Sequence, residues 1–480
     1  MIVRNESANL PACLESAADL VDEIVVVDTG STDDTREIAT HPGARVYEFP
    51  WCDDFAAARN ESLRRANGDW ILWLDADDRV PMRGRAGLKE LIRDLPDENV
   101  AFLMDILCPG PDGGPMLQGV HPRLFRRRED IRWVGRVHEQ IASAVMASGG
   151  TLRKVPLAIV HLGYMHGGNR RDKLERNLRL IDLQMETSGM DVAAMMARAG
   201  TLVGLERGAE ALVALNLCAS LQPPPPMARE AAALEVEAWV LEDGLHEALA
   251  AARSGLARFP RDTSLQFQEA ALLAALGELE EAETCLLAQL IVGEEHAGQA
   301  SADRTIAAFR AQHLLAEVLL ERGRADLAEP HASAVVRTRS GYGQGWITLA
   351  EALASQGKWA EVARVRSHVE TTLQSPFGSA LVQVWCHLAR GETASALAVL
   401  DAARTAGTSV ERRFVSKVRA RVLLSAGDRG DELRAAVRAI LAEDRLCLRT
   451  RAIARALAGG GRPRWCPRDP VDSGLTARVL

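Results

Sequence analysis

A chain of 480 residues is long enough for two or three domains, each able to bury its own core. Hydrophobic residues make up 47% and charged residues 25%, the balance of a globular protein. The formal net charge of -8 is spread along the chain, which argues against nucleic acid or an anionic membrane as a partner of the whole chain.

No apolar stretch approaches the roughly 20 residues of a membrane helix, so no integral membrane segment is expected. Arg4, Asn5 and Glu6 interrupt the first apolar run, which leaves no signal-peptide pattern. Cys13, Cys52, Cys108, Cys218, Cys285, Cys386, Cys447 and Cys466 are scattered, with no CxxC pair. They read as reduced thiols of a cytoplasmic protein, with peripheral attachment at the inner membrane face left open.

The first strand is short, because only Met1, Ile2 and Val3 precede the turn at Arg4–Asn5. Either the sheet is clipped at this edge or the start was assigned late. Leu10–Asp19 reads as a helix, Glu23–Asp28 (EIVVVD) as a strand and Thr35–Thr40 as a helix. Ala44–Phe49 (ARVYEF) reads as a strand, Phe55–Asn67 as a helix, and Trp70–Leu74 and Val100–Leu107 as strands. These strands are continuous apolar runs, the signature of burial on both faces, and imply an open, parallel, Rossmann-like α/β sheet. Ligands are then expected beyond the C-terminal strand ends.

After residue 165 the strand signals stop. Gly208, Gly244, Gly277, Gly323, Gly357, Gly391 and Gly427 each separate two Ala/Leu-rich helical patterns, at spacings of 36, 33, 46, 34, 34 and 36. A period near 34 with a glycine turn is the tetratricopeptide (TPR) pattern, in which stacked helix pairs bury faces that no pair could bury alone. The 46-residue spacing predicts an inserted loop around Gly293–Asp303. Gln222–Met227 (QPPPPM) reads as a proline break between helices. The expected fold class is α/β followed by all-α, with a TPR-like α-solenoid at the C-terminal side. The expected division is 1–185, 186–458 and a loosely ordered tail at 459–480.

Three stretches carry chemistry. Asp28–Thr35 (DTGSTDDT) places an acid at a strand end, able to accept hydrogen bonds from a base or ribose. Trp70–Asp78 (WILWLDADD) delivers three carboxylates after an apolar strand. In an extended segment Asp75 and Asp77 face the same side, and two such carboxylates repel unless a cation lies between them. Hard oxygen ligands suit Mg²⁺ or Mn²⁺, which also bind phosphate oxygens. Trp133–Glu139 (WVGRVHE) offers His138 as a metal ligand beside Glu139 as a general base. His161, at a further strand end, is the alternative metal ligand. A basic segment containing Arg123, Arg126, Arg127, Arg128, Arg132 and Arg136 suits phosphate, with Arg126 taken as the ligand contact.

MIVRNE at 1–6, DEIVVVDTGSTDDT at 22–35, WCDDFAAARNESL at 51–63 and GDWILWLDADD at 68–78 resemble glycosyltransferase family 2. RLFR at 123–126, WVGRVHE at 133–139 and HLGY at 161–164 resemble its bacterial subgroup with a trailing TPR region, related to peptide S-glycosyltransferases. The resemblance implies a GT-A fold, a nucleotide-sugar donor with UDP as the family default, a divalent metal and inversion at the anomeric carbon. It implies that Glu6 and Asp28 contact the nucleoside and that Arg59 lines the same pocket. Asp75 would lie near the ribose or metal, Asp77 would be the main metal ligand, and Glu139 the base. The QxxRW motif of processive synthases is absent, which speaks against long-chain polymer synthesis.

The expected function is therefore sugar transfer to a protein, peptide or cell-envelope glycan, with the repeats as an acceptor-binding or dimerising surface; a homodimer stays open. The alternatives are a non-catalytic TPR scaffold with a vestigial transferase domain, and a nucleotidyltransferase. The latter would call for a glycine-rich basic phosphate loop where this chain has RNESANL.

Overall fold

The structure is a computed structural model that describes residues 1–40, 43–109, 115–162, 170–295 and 309–406, with short pieces between 415 and 438. The expected turn at Gly427, Tyr164, most of the expected insertion and the tail at 459–480 lie outside the described residues. The chain divides into two compact units, Met1–Arg198 and Ala199–Leu480.

The first unit contains two sheets. β1 (Ile2–Val3), β2 (Val25–Asp28) and β3 (Arg45–Glu48) form a parallel three-stranded sheet in that order. All four residues of β2 are buried, as its unbroken apolar run requires. The second sheet has β4 (Trp70–Leu72) at one edge and β5 (Asp78–Arg79) at the other. Between them run β7 (Pro115–Arg126), β6 (Val100–Pro109) and β8 (Thr151–His161), in the order β4-β7-β6-β8-β5.

This second sheet corrects the expectation of a parallel sheet. β6 runs antiparallel to β7 and parallel to β8, and β4 and β5 each pair antiparallel with their neighbours. A continuous apolar run reports burial on both faces and is silent about the direction of the neighbouring strand. Direction follows the connection: only residues 110–114 join β6 to β7, too few for a parallel crossover.

Both faces of the mixed sheet are covered. Phe102, Met104, Ile106 and Leu124 pack with Cys13, Ala17 and Leu20 of α1 (Leu10–Ala17) and its following turn, and with Leu88 of α4 (Met82–Arg93). Ala101 and Phe125, one residue out of phase, pack with Ala56 and Leu63 of α3 (Phe55–Arg65) and with Val145 of α5 (Ala142–Ala147). The two-residue period of the strands sorts the side chains between these two cores. Asp54 caps α3 by accepting the Ala57 amide at 2.8 Å, which fixes where that helix begins. α6 (Arg170–Ser188) contributes Leu180 and Ile181 to a third cluster with Val137.

In the second unit the described elements are all helical. Each helix from Gly208–Ser220 to Thr393–Ala406 packs on the next, and alternate helices such as Thr263–Leu276, Ala311–Glu321 and Gly343–Ser355 also meet. Alanines such as Ala271, Ala316 and Ala350 are fully buried and let the helices approach closely. The recurring glycines do two different jobs. Gly277 adopts φ 90°, the left-handed helix cap that glycine fills at least cost. At the first turns Glu206 and Asp243 take the positive φ instead, and glycine serves close packing.

A Cβ on Gly208 would lie 2.7 Å from the Ala238 carbonyl oxygen and 2.8 Å from Leu241 Cβ. Gly208→Ala should therefore destabilise this unit by about 1–3 kcal/mol, the usual cost of overpacking. Urea unfolding followed by circular dichroism checks this; a midpoint equal to wild type would mean the two helices separate freely.

Candidate functional site

The site grows from the end of β4. Beyond Leu72 the chain still follows β7, with the Trp73 amide donating to the Arg123 carbonyl at 3.1 Å. The backbone then turns: the Asp78 amide donates to the Asp75 carbonyl at 3.0 Å, and the Asp75 amide to the Asp78 carboxylate at 2.8 Å. Cys13 Sγ donates to the same Asp75 carbonyl at 3.1 Å. This closed turn sets three carboxylates at the strand end. β5 then pairs with β8 so that Asp78 stands directly opposite His161, and opposed residues of antiparallel strands share a face.

The result is a cluster of Asp75, Asp77, Asp78 and His161, whose potential ligand atoms all lie within 4.8 Å of one another. His161 Nδ1 is 3.0 Å from Asp78 and 3.4 Å from Asp77. Asp78 is fully buried and also takes the Arg123 guanidinium at 2.7 Å. Arg59, buried on α3, donates to Asp75 at 2.8 Å and, through Nε, to Glu139. Its guanidinium carbon lies 4.6 Å from the Trp73 ring centre and 5.1 Å from that of Trp133, and Arg123 sits 3.8 Å from Trp73. Indole faces attract guanidinium groups, so the two tryptophans hold both cations in a partly dry setting. A continuous chain of charge then runs Glu139–Arg59–Asp75, beside His161–Asp78–Arg123.

The carboxylates are not equivalent. Burial works to raise Asp75, but Arg59 and Arg123 outweigh it and hold the carboxyl well below its ordinary range. Burial pushes Asp77 up to about 6, against the pull of His161; Asp75, Asp78 and Glu6 add to the rise. Burial would lower His161, but the hydrogen bond to Asp78 and the charges of Asp77, Asp78 and Asp75 hold it above its ordinary value. Asp77 is thus the carboxylate of this group to which no arginine is bonded among the described residues, and its charge is the least compensated.

Four other sequence candidates, Glu6, Asp28, His138 and Arg126, lie outside this cluster. Glu6 contributes to the field on Asp77; its amide donates to Thr35 at 2.7 Å and its carboxylate accepts from Asn9 at 2.9 Å. Asp28 is 2% exposed and accepts the Gly30 and Ser31 amides, so it builds the turn after β2. Across that turn, Asn5 accepts the Thr32 amide and Asp33 accepts the Ser7 amide, which ties the loops after β1 and β2 together. His138 has φ 53° and is not part of the aspartate cluster, which takes its imidazole from His161. Arg126 pairs with Asp97 at 2.6 Å and stands opposite Trp70, at the far end of β4 from Asp75.

Asp78 as the hub, Arg123 as its partner and the Trp73–Trp133 box went unassigned in the sequence. Asp78 was visible as the third acid of the run, but its role depends on a strand 83 residues away.

Residues 1–146 match the family model for glycosyl transferase family 2. The chain carries a family 2 glycosyltransferase domain. The transferase domain holds the whole of the Asp75–Asp78 turn, while His161 lies beyond the matched span. Over 147 residues the chain is 41% identical to a TPR repeat-containing protein of Synechococcus elongatus, covering 31% of this chain and 36% of that protein. Over 185 residues it is 29% identical to the prophage-derived glycosyltransferase SunS of Bacillus subtilis, covering 38% and 43%. The chain thus spans about two fifths of the length of these curated relatives. A structure of S. aureus TarS in complex with UDP-GlcNAc aligns over 54% of this chain and 90% of that one, at 15% identity and a TM-score of 0.31; a superposition that loose places no residue.

Proposed function

We propose that this chain is a metal-dependent, inverting glycosyltransferase that moves a sugar from a nucleotide-sugar donor, a UDP-sugar by family default, to a protein, peptide or cell-envelope acceptor. The observation that carries this reading is the cluster of Asp75, Asp77, Asp78 and His161 at the end of β4, within reach of one cation, in a family 2 domain. Three carboxylates and an imidazole fit a hard divalent ion, Mn²⁺ or Mg²⁺. Asp77 and His161 are the side chains best placed to hold it, because Arg123 takes one oxygen of Asp78 and Arg59 one of Asp75. When bound, such an ion neutralises charge on a diphosphate leaving group. Glu6 and Asp28, on the loops after β1 and β2, form the nucleoside side of the site. The TPR-like repeats bind the acceptor or a partner.

Calorimetric titration with UDP, UDP-glucose, UDP-GlcNAc and GDP-mannose, with and without Mn²⁺, tests the donor site. One nucleotide should bind in a metal-dependent manner, and Asp77→Ala should abolish it. A folded protein that binds none of them would favour the other reading, a TPR scaffold with a vestigial transferase domain.

Inversion needs one in-line displacement and a base to take the acceptor proton, and Glu139 is our candidate. Glu139→Gln keeps the side-chain shape and should lower kcat by about 10²–10⁴-fold while leaving donor affinity within a few-fold. A lowered Tm with kcat intact would instead reduce Glu139 to an anchor for Arg59.

A further inference from the structure

Arg4, Arg136, Arg176 and Arg179 gather where α6 passes the start of α3. Leu180 and Ile181 of α6 fix this crossing by packing with Val137, against Trp51 and Phe55. Residues four apart on a helix share a face, so Arg176 lies one turn before Leu180 on that side. Its guanidinium carbon is 5.1 Å from the centre of the Phe55 ring. By the same rule Phe55 stands one turn before Arg59 on α3, and Arg59 holds Asp75 and Glu139. Arg176 thus sits over the first turn of the helix that carries the buried cation of the site.

Two of the four arginines are neutralised. Arg179 grips both oxygens of Asp53, at 2.6 and 2.9 Å. Arg136 is 4.0 Å from Asp54 and donates to the Asp53 carbonyl at 3.3 Å. Arg4 and Arg176 have no carboxylate in ion-pair reach among the described residues. Arg176 donates only to the amide oxygen of its neighbour Asn177, at 3.0 and 3.3 Å. Burial lowers Arg176 below the ordinary guanidinium value, and the like charges of Arg4 and Arg179 add to the fall. Both Arg4 and Arg176 are nevertheless exposed. The chain as a whole carries a net charge of -8, so this excess of positive charge is local.

Cations held side by side repel, and an anion between them turns the repulsion into attraction. The planar guanidinium fork matches two oxygens of a phosphate. The Phe55 ring holds the Arg176 fork in place without cancelling its charge, as an acid would. We infer that Arg4 and Arg176, the latter over Phe55, form a phosphate-binding site distinct from the Asp77–His161 cation site. Two ligands bring a phosphate to this place. One is the donor, because Arg4 adjoins Asn5 and Glu6 on the loop after β1. The other is a phosphate-bearing acceptor, because α6 also packs on Val137, two residues before Glu139. The choice of source rests on the transferase reading above; phosphate binding itself does not.

Calorimetry on the full chain in chelator, with inorganic pyrophosphate as the probe, tests the site without metal, donor or acceptor. Pyrophosphate should bind, and Arg176→Gln and Arg4→Gln should each weaken it at least about tenfold, the usual weight of a hydrogen bond to a charged group. Arg176→Lys should keep part of the affinity. Arg153→Gln, an exposed arginine of β8, should keep all of it. Because Arg176 has no acid to strand, Arg176→Gln should melt no lower than wild type. If the donor brings the phosphate, Arg176→Gln also weakens UDP about tenfold, leaves uridine unchanged, and UDP displaces pyrophosphate. If the acceptor brings it, UDP binds both chains alike and glycerol phosphate still binds the UDP-saturated protein. Wild type that takes up no pyrophosphate, or glutamine variants that bind it as tightly as wild type, would overturn the inference. So would an Arg176→Gln chain that melts several degrees lower yet binds pyrophosphate normally, since Arg176 would then serve only to pack on Phe55. A chain that binds pyrophosphate through these arginines but no nucleotide would keep this site and remove the donor reading instead.

Discussion

Asp77→Asn is expected to make the metal-free protein more stable while removing its response to Mn²⁺. The Asp77 carboxyl stands at about 6 in the folded chain against an ordinary 3.8. Between these values the unfolded chain has released its proton and the folded chain still holds it. The folded state then binds more protons, so stability falls as pH rises through this window. Below about pH 4 there is no penalty, and above about pH 6 it is complete. Two pKa units correspond to roughly 2–3 kcal/mol, and the side chain is only 19% exposed, so solvent screening leaves most of this in place. Asparagine removes the charge and with it the penalty. Thermal melts in chelator at pH 7.5 should show Asp77→Asn above wild type by on the order of 5 °C, with the gap closing at pH 4. Saturating Mn²⁺ should raise the wild type alone, since a ligand stabilises only the state that binds it. A variant that melts below wild type at pH 7.5 would mean that Asp77 is well compensated and is no cation ligand.

Arg59→Met should have the opposite character, with a large loss of stability. Arg59 is 8% exposed, bonded to both Asp75 and Glu139, and held between Trp73 and Trp133. Methionine preserves much of the packing against the indoles but leaves two carboxylates without their cation. Breaking a buried ion pair by removing one partner costs about 3–5 kcal/mol, chiefly because the other charge is stranded. Urea unfolding reads this directly. Adding Glu139→Gln to Arg59→Met removes one stranded charge, so the double variant should recover part of the loss, and the shortfall from additivity measures the coupling. A single-variant loss below about 1 kcal/mol would show that water reaches the carboxylates and that the charge chain is not a buried network.

Much of this site could be read in the sequence, and the rest was hidden for identifiable reasons. The apolar run ending in Asp75-Ala-Asp77-Asp78 announces a strand that delivers carboxylates, because those residue types are adjacent in the chain. The helices Leu10–Ala17, Thr35–Thr40 and Phe55–Arg65 start where the sequence places them, the last of them behind the Asp54 cap. Direction of pairing is not local. Val100–Pro109 looks the same beside a parallel or an antiparallel neighbour, and the short link to Pro115–Arg126 decides it. The choice between His138 and His161 had the same limit. Both follow apolar residues, and only the register of Asp78 against His161 brings one of them to the aspartates. Arg126 stands out through the charge run around it, while its partner Asp97 lies in a separate segment that the run does not reveal. In the repeats the glycine period was plain, whereas the difference between a left-handed cap at Gly277 and a close approach at Gly208 needs the neighbouring helix.

The repeat unit has a consequence for how such proteins diversify. Its helices from Gly208 onward meet their sequence neighbours and the next helix but one. Each helix pair therefore answers to adjacent pairs rather than to a distant, shared core. Duplication or loss of one pair in a gene keeps the surviving interfaces as they were, so array length can drift between lineages in whole steps. The Asp75–His161 cluster has no such freedom. Its parts come from segments more than 80 residues apart in the chain, and an insertion that shifted the β5–β8 pairing by a single residue would turn His161 to the other face. Selection can thus alter the repeat array by pieces, while the transferase domain tolerates change only between its strands.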